Sequence, residues 1–365
     1  MNYLEGIDRD IQNDVINIKS GYQERSFKYD LLDKNENFKK TLSNVVEDGN
    51  NISFDEFSKL KRSGKIKLIG EDLEIDFIND RVKIFITLND GSNELTYPAG
   101  VYLLSSPTKK TMTKDVDSFS VDIYSKLQIL IEDKVIERFV VTQNSSYTNT
   151  IKSLVSSAGF DISKIENSNE IAQRDIVFNA GTSKLDIINN LLKQINFYEL
   201  YTDFDGFPIG KPSVLDLART PDYFYKLNEN SIVDFGINQE LDLFNIPNVI
   251  TRVVTNAETE PLISTYSNYN TDDPTSIPSR GREIDDYKEI SDIPSQLSLD
   301  NFVLLEAERL RQVYGEINFN TSINPMHELK ECIEVNGEVY IETNWTIDLS
   351  VNGKMKHEAR RVVYV

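Results

Sequence analysis

Few residues in this chain could do chemistry. His327 and His357 are the only two histidines, thirty positions apart. Neither has the short spacing to a second His, or to the single cysteine, from which a zinc site is usually built. The sequence therefore points to no metal ligand. Cys332 lies in Glu-Cys-Ile-Glu-Val and reads as a buried, inert strand thiol. No nucleophile elbow of the Gly-x-Ser-x-Gly kind occurs, and no phosphate-cradling glycine loop. Asp203-Phe204-Asp205-Gly206 opens like a calcium loop, but Phe207 stands where a third side-chain ligand is needed and Val214 where a bidentate Glu is needed. Carboxylate pairs for glycoside hydrolysis could be drawn from 59 Asp and Glu residues, so abundance alone assigns none. No catalytic, cofactor-binding or metal residue follows from the sequence, and neither a cofactor nor an enzyme is expected.

The elements that could position a site centre on 176–254. Ile176-Val177-Phe178 is a short strand ending at Asn179-Ala180-Gly181. Thr182 or Ser183 can cap a helix there, since a hydroxyl accepts from free first-turn amides. Leu185, Ile188, Leu191, Leu192 and Ile195 follow at helical spacing and make one apolar face. The aromatic stretch 197–202 precedes Asp205-Gly206, the chemistry of a tight hairpin. Pro208 and Pro212 keep the outgoing arm at an edge. Asn245-Ile246-Pro247-Asn248 then leads into a strand from Val249 to Val254.

With 365 residues the chain can bury a sizeable core and divide into two or three domains. No apolar run of membrane-spanning length occurs, and the polar, acidic start has no secretory-signal pattern. One cysteine allows no intrachain disulfide, which fits synthesis in a reducing cytoplasm. The net charge of −20 argues against a duplex-DNA reader, which carries a basic stripe. Such acidity either maintains solubility or lines a passage to which nucleic acid must not stick.

Residues 1–133 read as short strands separated by turns, with Phe27, Tyr29 and Leu31, and then Val82, Ile84, Ile86 and Leu88, alternating on one face; a barrel or sandwich is expected. In 134–232 the pattern turns α/β. Ser146 can cap a helix bearing Tyr147, Ile151, Leu154, Val155 and Ala158, with Gly159 suited to a left-handed end. Residues 256–298 hold four of the eleven prolines and read as a long excursion with limited regular structure. A helix at 299–314 follows, capped by Asp300, faced by Leu304, Leu305, Leu310 and Val313, and stopped by Gly315. The end is β again, with hairpin turns at Asn336-Gly337 and Asn352-Gly353. The third segment is thus 233–365.

The order of these pieces resembles the hub and late-control proteins of phage tail baseplates. Tyr97-Pro98-Ala99-Gly100-Val101-Tyr102 and 122–127 are similar to that family's first barrel. Gly181-Thr182 and Asp205-Gly206 resemble its middle domain. Pro247-Asn248 resembles the start of its second barrel, and Asn324-Pro325 before Cys332–Val335 a late strand. The likeness spans about residue 20 to 365. It departs where the family's Pro-Gly-Asp is replaced by Leu329-Lys330-Glu331.

The resemblance implies an α+β, mainly β protein with two similar β-barrel domains and an α/β middle domain. It implies a virion structural protein of the tail baseplate or tip, made in the host cytoplasm. A homotrimer would join the sixfold tail tube, or a distal tail protein, to a threefold central spike or tip protein. The tape measure protein would be a further contact, and DNA would pass through the channel without specific binding. A receptor- or carbohydrate-binding tail protein is the alternative, with a cell-wall hydrolase behind it.

Overall fold

The computed structural model describes residues 3–18, 21–70, 73–113, 116–214, 219–226, 238–240, 244–256, 259–290, 293–311, 316–328 and 330–361. The first part contains α1 (Arg9–Ile16), β1 (Glu24–Leu32), β2 (Phe38–Thr41), β3 (Asn51–Asp55), β4 (Arg62–Ile69), β5 (Arg81–Asn89), β6 (Glu94–Leu104), β7 (Thr108–Thr113) and β8 (Val116–Ser125). Then come α2 (Leu127–Glu132), β9 (Phe139–Val141), α3 (Tyr147–Ser157), β10 (Lys164–Ile165), β11 (Ile176–Phe178), α4 (Lys184–Gln194), β12 (Tyr201–Thr202), β13 (Pro208–Gly210) and β14 (Tyr223–Tyr225). The last part contains β15 (Asn238–Glu240), β16 (Val249–Asn256), β17 (Thr259–Ser267), α5 (Ile277–Arg280), β18 (Asp285–Ile290), α6 (Gln296–Arg311), β19 (Glu316–Thr321), β20 (Cys332–Val335), β21 (Glu338–Asp348) and β22 (Met355–Arg361).

The alternating strands pair as their pattern demands. In β1 and β5, Phe27 faces Ile86, Tyr29 faces Ile84 and Leu31 faces Val82, so one face of each strand enters the core. Pro98 enters β6 without breaking it, because the β5–β6 ladder shifts register between Lys83 and Phe85.

The two expected β-barrels are not formed. A 14-stranded sheet runs as an open path β15-β19-β22-β21-β3-β4-β8-β6-β5-β1-β2, with β14, β20 and β7 joined beside it. Strands from both ends of the chain therefore share one sheet through the β3–β21 pair. The inward side chains explain the joint. Ile52 and Phe54 on β3, and Trp345 and Ile347 on β21, stand opposite one another and are all buried. Each half covers an apolar strand edge of the other, so neither closes on itself. The result is a mixed α/β fold of open sheets. The smaller ones are β10-β13-β12, β11-β9 and β17-β16-β18.

The helices cover the smaller sheets. Ser146 and Ser183 cap α3 and α4, and the buried faces of those helices meet in one cluster that includes Leu154, Leu185, Ile188 and Leu192. Gly159 follows the α3 cap with φ +90°. The 256–298 segment is more regular than its composition suggests. Its strands β17 and β18 flank β16, and α6 covers them. That helix starts earlier than expected. The Ser295 hydroxyl accepts from the Ser298 amide, which moves the cap back from Asp300. The buried face is then Leu299, Phe302, Val303 and Ala307, while Leu304 is turned out. Val313 and Gly315 lie outside the described residues.

Candidate functional site

The most concentrated polar chemistry lies inside the sheet, at the strands nearest the C-terminus. Asn324-Pro325 makes a turn in which the Asn324 side-chain oxygen accepts from the Met326 amide at 3.0 Å. The turn delivers His327 into the interior. On the neighbouring strands Cys332 faces Ile341, and the Glu342 amide donates to the Glu331 carbonyl at 2.9 Å, so two glutamates stand opposite each other. The β21–β22 ladder shifts register between Glu342 and Asn344, and beyond the shift Trp345 faces His357. His327, Glu331, Glu342 and His357 are all buried.

Glu342 joins the two imidazoles. One of its oxygens accepts from His327 Nδ1 at 2.7 Å, and the other is bonded to His357 Nδ1. Glu331 lies 3.1 Å from the same His327 nitrogen. The outer nitrogens are also met by oxygen. Tyr225 Oη is 2.7 Å from His327 Nε2, and Thr321 Oγ1 is 2.7 Å from His357 Nε2. Tyr223 stacks on His327 at 4.2 Å and Phe319 on His357 at 4.7 Å, which fixes both ring planes.

Burial and charge oppose each other here. Burial favours the neutral acid of Glu342, but the two imidazoles outweigh it and hold its pKa down to about 2. Burial works against a charged His327, and the Glu342 and Glu331 carboxylates outweigh that, so its pKa is raised well above the ordinary value. His357 goes the other way. Burial dominates and lowers its pKa despite Glu342. The sequence reading missed the group because strand pairing, not sequence spacing, brings the histidines together.

A buried cation lies at the β3–β21 joint. The Arg62 guanidinium is 4.2 Å from the Phe204 ring and 5.4 Å from the Trp345 ring, and its Nε donates to the Thr202 carbonyl at 3.1 Å. A surface cleft of about 300 Å³ lies between the end of α4 and α6, with Lys193, Tyr198, Phe302, Arg309 and Lys330 among its walls. Neither histidine lines it.

The eight motif residues occupy four separate turns and do not converge. Gly181 has φ +86°, and the Thr182 hydroxyl donates to the Asn179 carbonyl at 2.7 Å. Asp205-Gly206 closes the β12–β13 hairpin, where Asp205 pairs with Lys83 at 2.8 Å. Gly206 has φ +81°, and a Cβ there would come 2.9 Å from Val101. Pro247 precedes Asn248, which is buried and holds the 275–284 loop. The Asn248 Nδ2 donates to the Thr275 and Arg282 carbonyls, and its Oδ1 accepts from the Ile284 amide at 2.7 Å. Asn324-Pro325 alone reaches the histidine cluster.

No family model matches the sequence, and no curated protein matches it. Solved structures do share the fold. The tail protein from Neisseria meningitidis MC58 superposes with a TM-score of 0.66 at 11% identity, over 92% of this chain and 97% of that one. The 43 kDa tail protein of prophage MuSo2 from Shewanella oneidensis gives 0.62 at 10% identity, over 91% and 98%. Prophage tail protein gp18 from Listeria monocytogenes EGD-e gives 0.58 at 10% identity, over 91% and 94%. The chain thus shares the fold of these tail proteins over about nine-tenths of its length, and the resemblance noted in the sequence holds at that level.

Proposed function

We propose that this protein is a structural hub of a phage tail baseplate or tail tip, a homotrimer that joins the tail tube to a central spike. The observation that carries the reading is the likeness to solved tail proteins over more than nine-tenths of the chain. The open sheet fits ring assembly. Among the described residues its path ends at β2 and β15, each paired on one side only. Such edges accept strands from other chains. Identical subunits meeting head to tail close into a ring when the rotation closes, and a ring leaves an axial opening. Part of the net charge of −20 would face that opening, so that DNA passes without binding. Partners would be the tube or a distal tail protein on one side and the spike or tip protein on the other, with the tape measure protein as a transient neighbour.

Electron microscopy of the purified protein tests this reading. It predicts threefold rings with a central opening whose wall carries more Asp and Glu than Lys and Arg. Rings with a neutral or basic wall would overturn the channel assignment.

A further inference from the structure

We infer that His327, His357 and Glu342 form a buried binding site for a divalent transition metal of the zinc class. The ligand atoms are the two Nδ1 nitrogens and a Glu342 carboxylate oxygen, and all lie within 4.8 Å of one another. Two imidazoles and one carboxylate are a regular donor set for zinc. At metal–ligand distances of about 2.0–2.2 Å, tetrahedral donors stand roughly 3.3 Å apart. His327 Nδ1 is now closer than this to Glu342, at 2.7 Å, while the donor set as a whole spans up to 4.8 Å, so an ion requires the carboxylate to rotate and the two rings to draw together. Glu331, 3.1 Å from His327 Nδ1, is placed to supply the fourth ligand.

The surroundings supply what a metal-binding imidazole requires. When Nδ1 binds a metal, Nε2 carries the remaining proton and needs an oxygen acceptor. Tyr225 Oη and Thr321 Oγ1 occupy those two positions at 2.7 Å each. The Thr321 hydroxyl can place its own proton on the Ser322 carbonyl, 2.8 Å away, which leaves its oxygen free to accept from His357. With its proton on Nε2, His357 offers the Nδ1 lone pair to an ion held at the Glu342 carboxylate. The stacked Tyr223 and Phe319 rings hold both imidazoles in their planes. The ion would tie together three segments: the Asn324-Pro325 turn, β21 and β22. Its role would be structural, because burial leaves no path for a substrate.

The chain has no histidine outside this cluster, so the test is clean on tag-free protein. Protein stripped with EDTA in denaturant is refolded with zinc chloride, then passed through a desalting column and analysed for metal. The expected result is about one zinc per chain, a thermal midpoint that rises with zinc, and movement of both imidazole Nδ1 signals in nitrogen NMR. Cobalt(II) in place of zinc should give the visible absorption of a tetrahedral site. Glu342→Gln keeps the side chain's shape and should reduce retained zinc at least tenfold. If wild-type protein refolds to its native circular dichroism but keeps no zinc or cobalt, and neither Nδ1 signal moves, the proposal is wrong. Wild-type uptake is read without any variant, so poor folding of Glu342→Gln would not obscure the answer.

Discussion

Trp345 stands directly opposite Phe54 across the β21–β3 ladder, with ring centroids 5.9 Å apart. The pair joins strands from the two ends of the chain, and Arg62 lies against both rings. Both aromatic side chains are buried. Cross-strand aromatic pairs add stability beyond the area they bury. The joint therefore couples the two halves of the 14-stranded sheet.

Trp345→Ala should cost about 3–5 kcal/mol, through lost burial and the cavity left beside Phe54 and Arg62. Denaturant unfolding followed at several probes would measure it. Because one sheet includes strands from both ends, wild-type signals from β1 and β22 should be lost together. Separate transitions for those two strands would show that the joint carries little coupling.

Asn248→Ala should cost about 2–4 kcal/mol, because it leaves the Thr275 and Arg282 carbonyls and the Ile284 amide without their buried partner. Hydrogen exchange offers a local check. The Ile284 amide should exchange faster in the variant, while amides in β5 should be unchanged.

Arg252 is fully buried, and its guanidinium binds Asp286 on β18 at 2.6 Å and Glu306 on α6 at 2.5 Å. Burial opposes the Asp286 anion, but hydrogen bonds from Arg252 and Lys288 outweigh it and lower its pKa from 3.8. A depressed carboxylate pKa stabilises the fold above the unfolded value, and that contribution is lost as pH falls through the folded value. Stability should therefore decline on acidification below about pH 4, the ordinary aspartate range. Asp286→Asn should lower stability at neutral pH by about 2 kcal/mol and flatten the acid limb. Urea midpoints at a series of pH values would show both effects.

Ser183→Ala should cost about 1 kcal/mol, since the hydroxyl caps α4 by accepting from the Asp186 amide at 3.1 Å. Asn at the same position should recover most of that loss. Thermal midpoints of the two variants make the comparison.

Much of the local structure was legible in the sequence, because local patterns cause it. The alternation in β1 and β5 and the cap at Ser146 were readable, the cap of α4 was narrowed to Thr182 or Ser183, and the turn at Asn336-Gly337 was readable too, where both residues have positive φ. Asn352-Gly353 lies instead in a longer loop, closed by the Asp348 amide on the Lys354 carbonyl. The β3–β21 pairing was not readable, because any exposed apolar strand edge could have been its partner. The strands β17 and β18 were hidden by prolines and polar residues, since both lie at the edges of a three-stranded sheet and alternate weakly. The histidine cluster was hidden for the same physical reason as the sheet joint. Its members meet through register and a bulge, and neither leaves a fixed interval in the sequence.

The role proposed for this fold is that of a trimeric tail hub. Light scattering of the purified protein over a range of concentration and salt tests it most directly. A trimeric hub gives a species of three times 41.8 kDa. A strict monomer at every concentration and salt would contradict it.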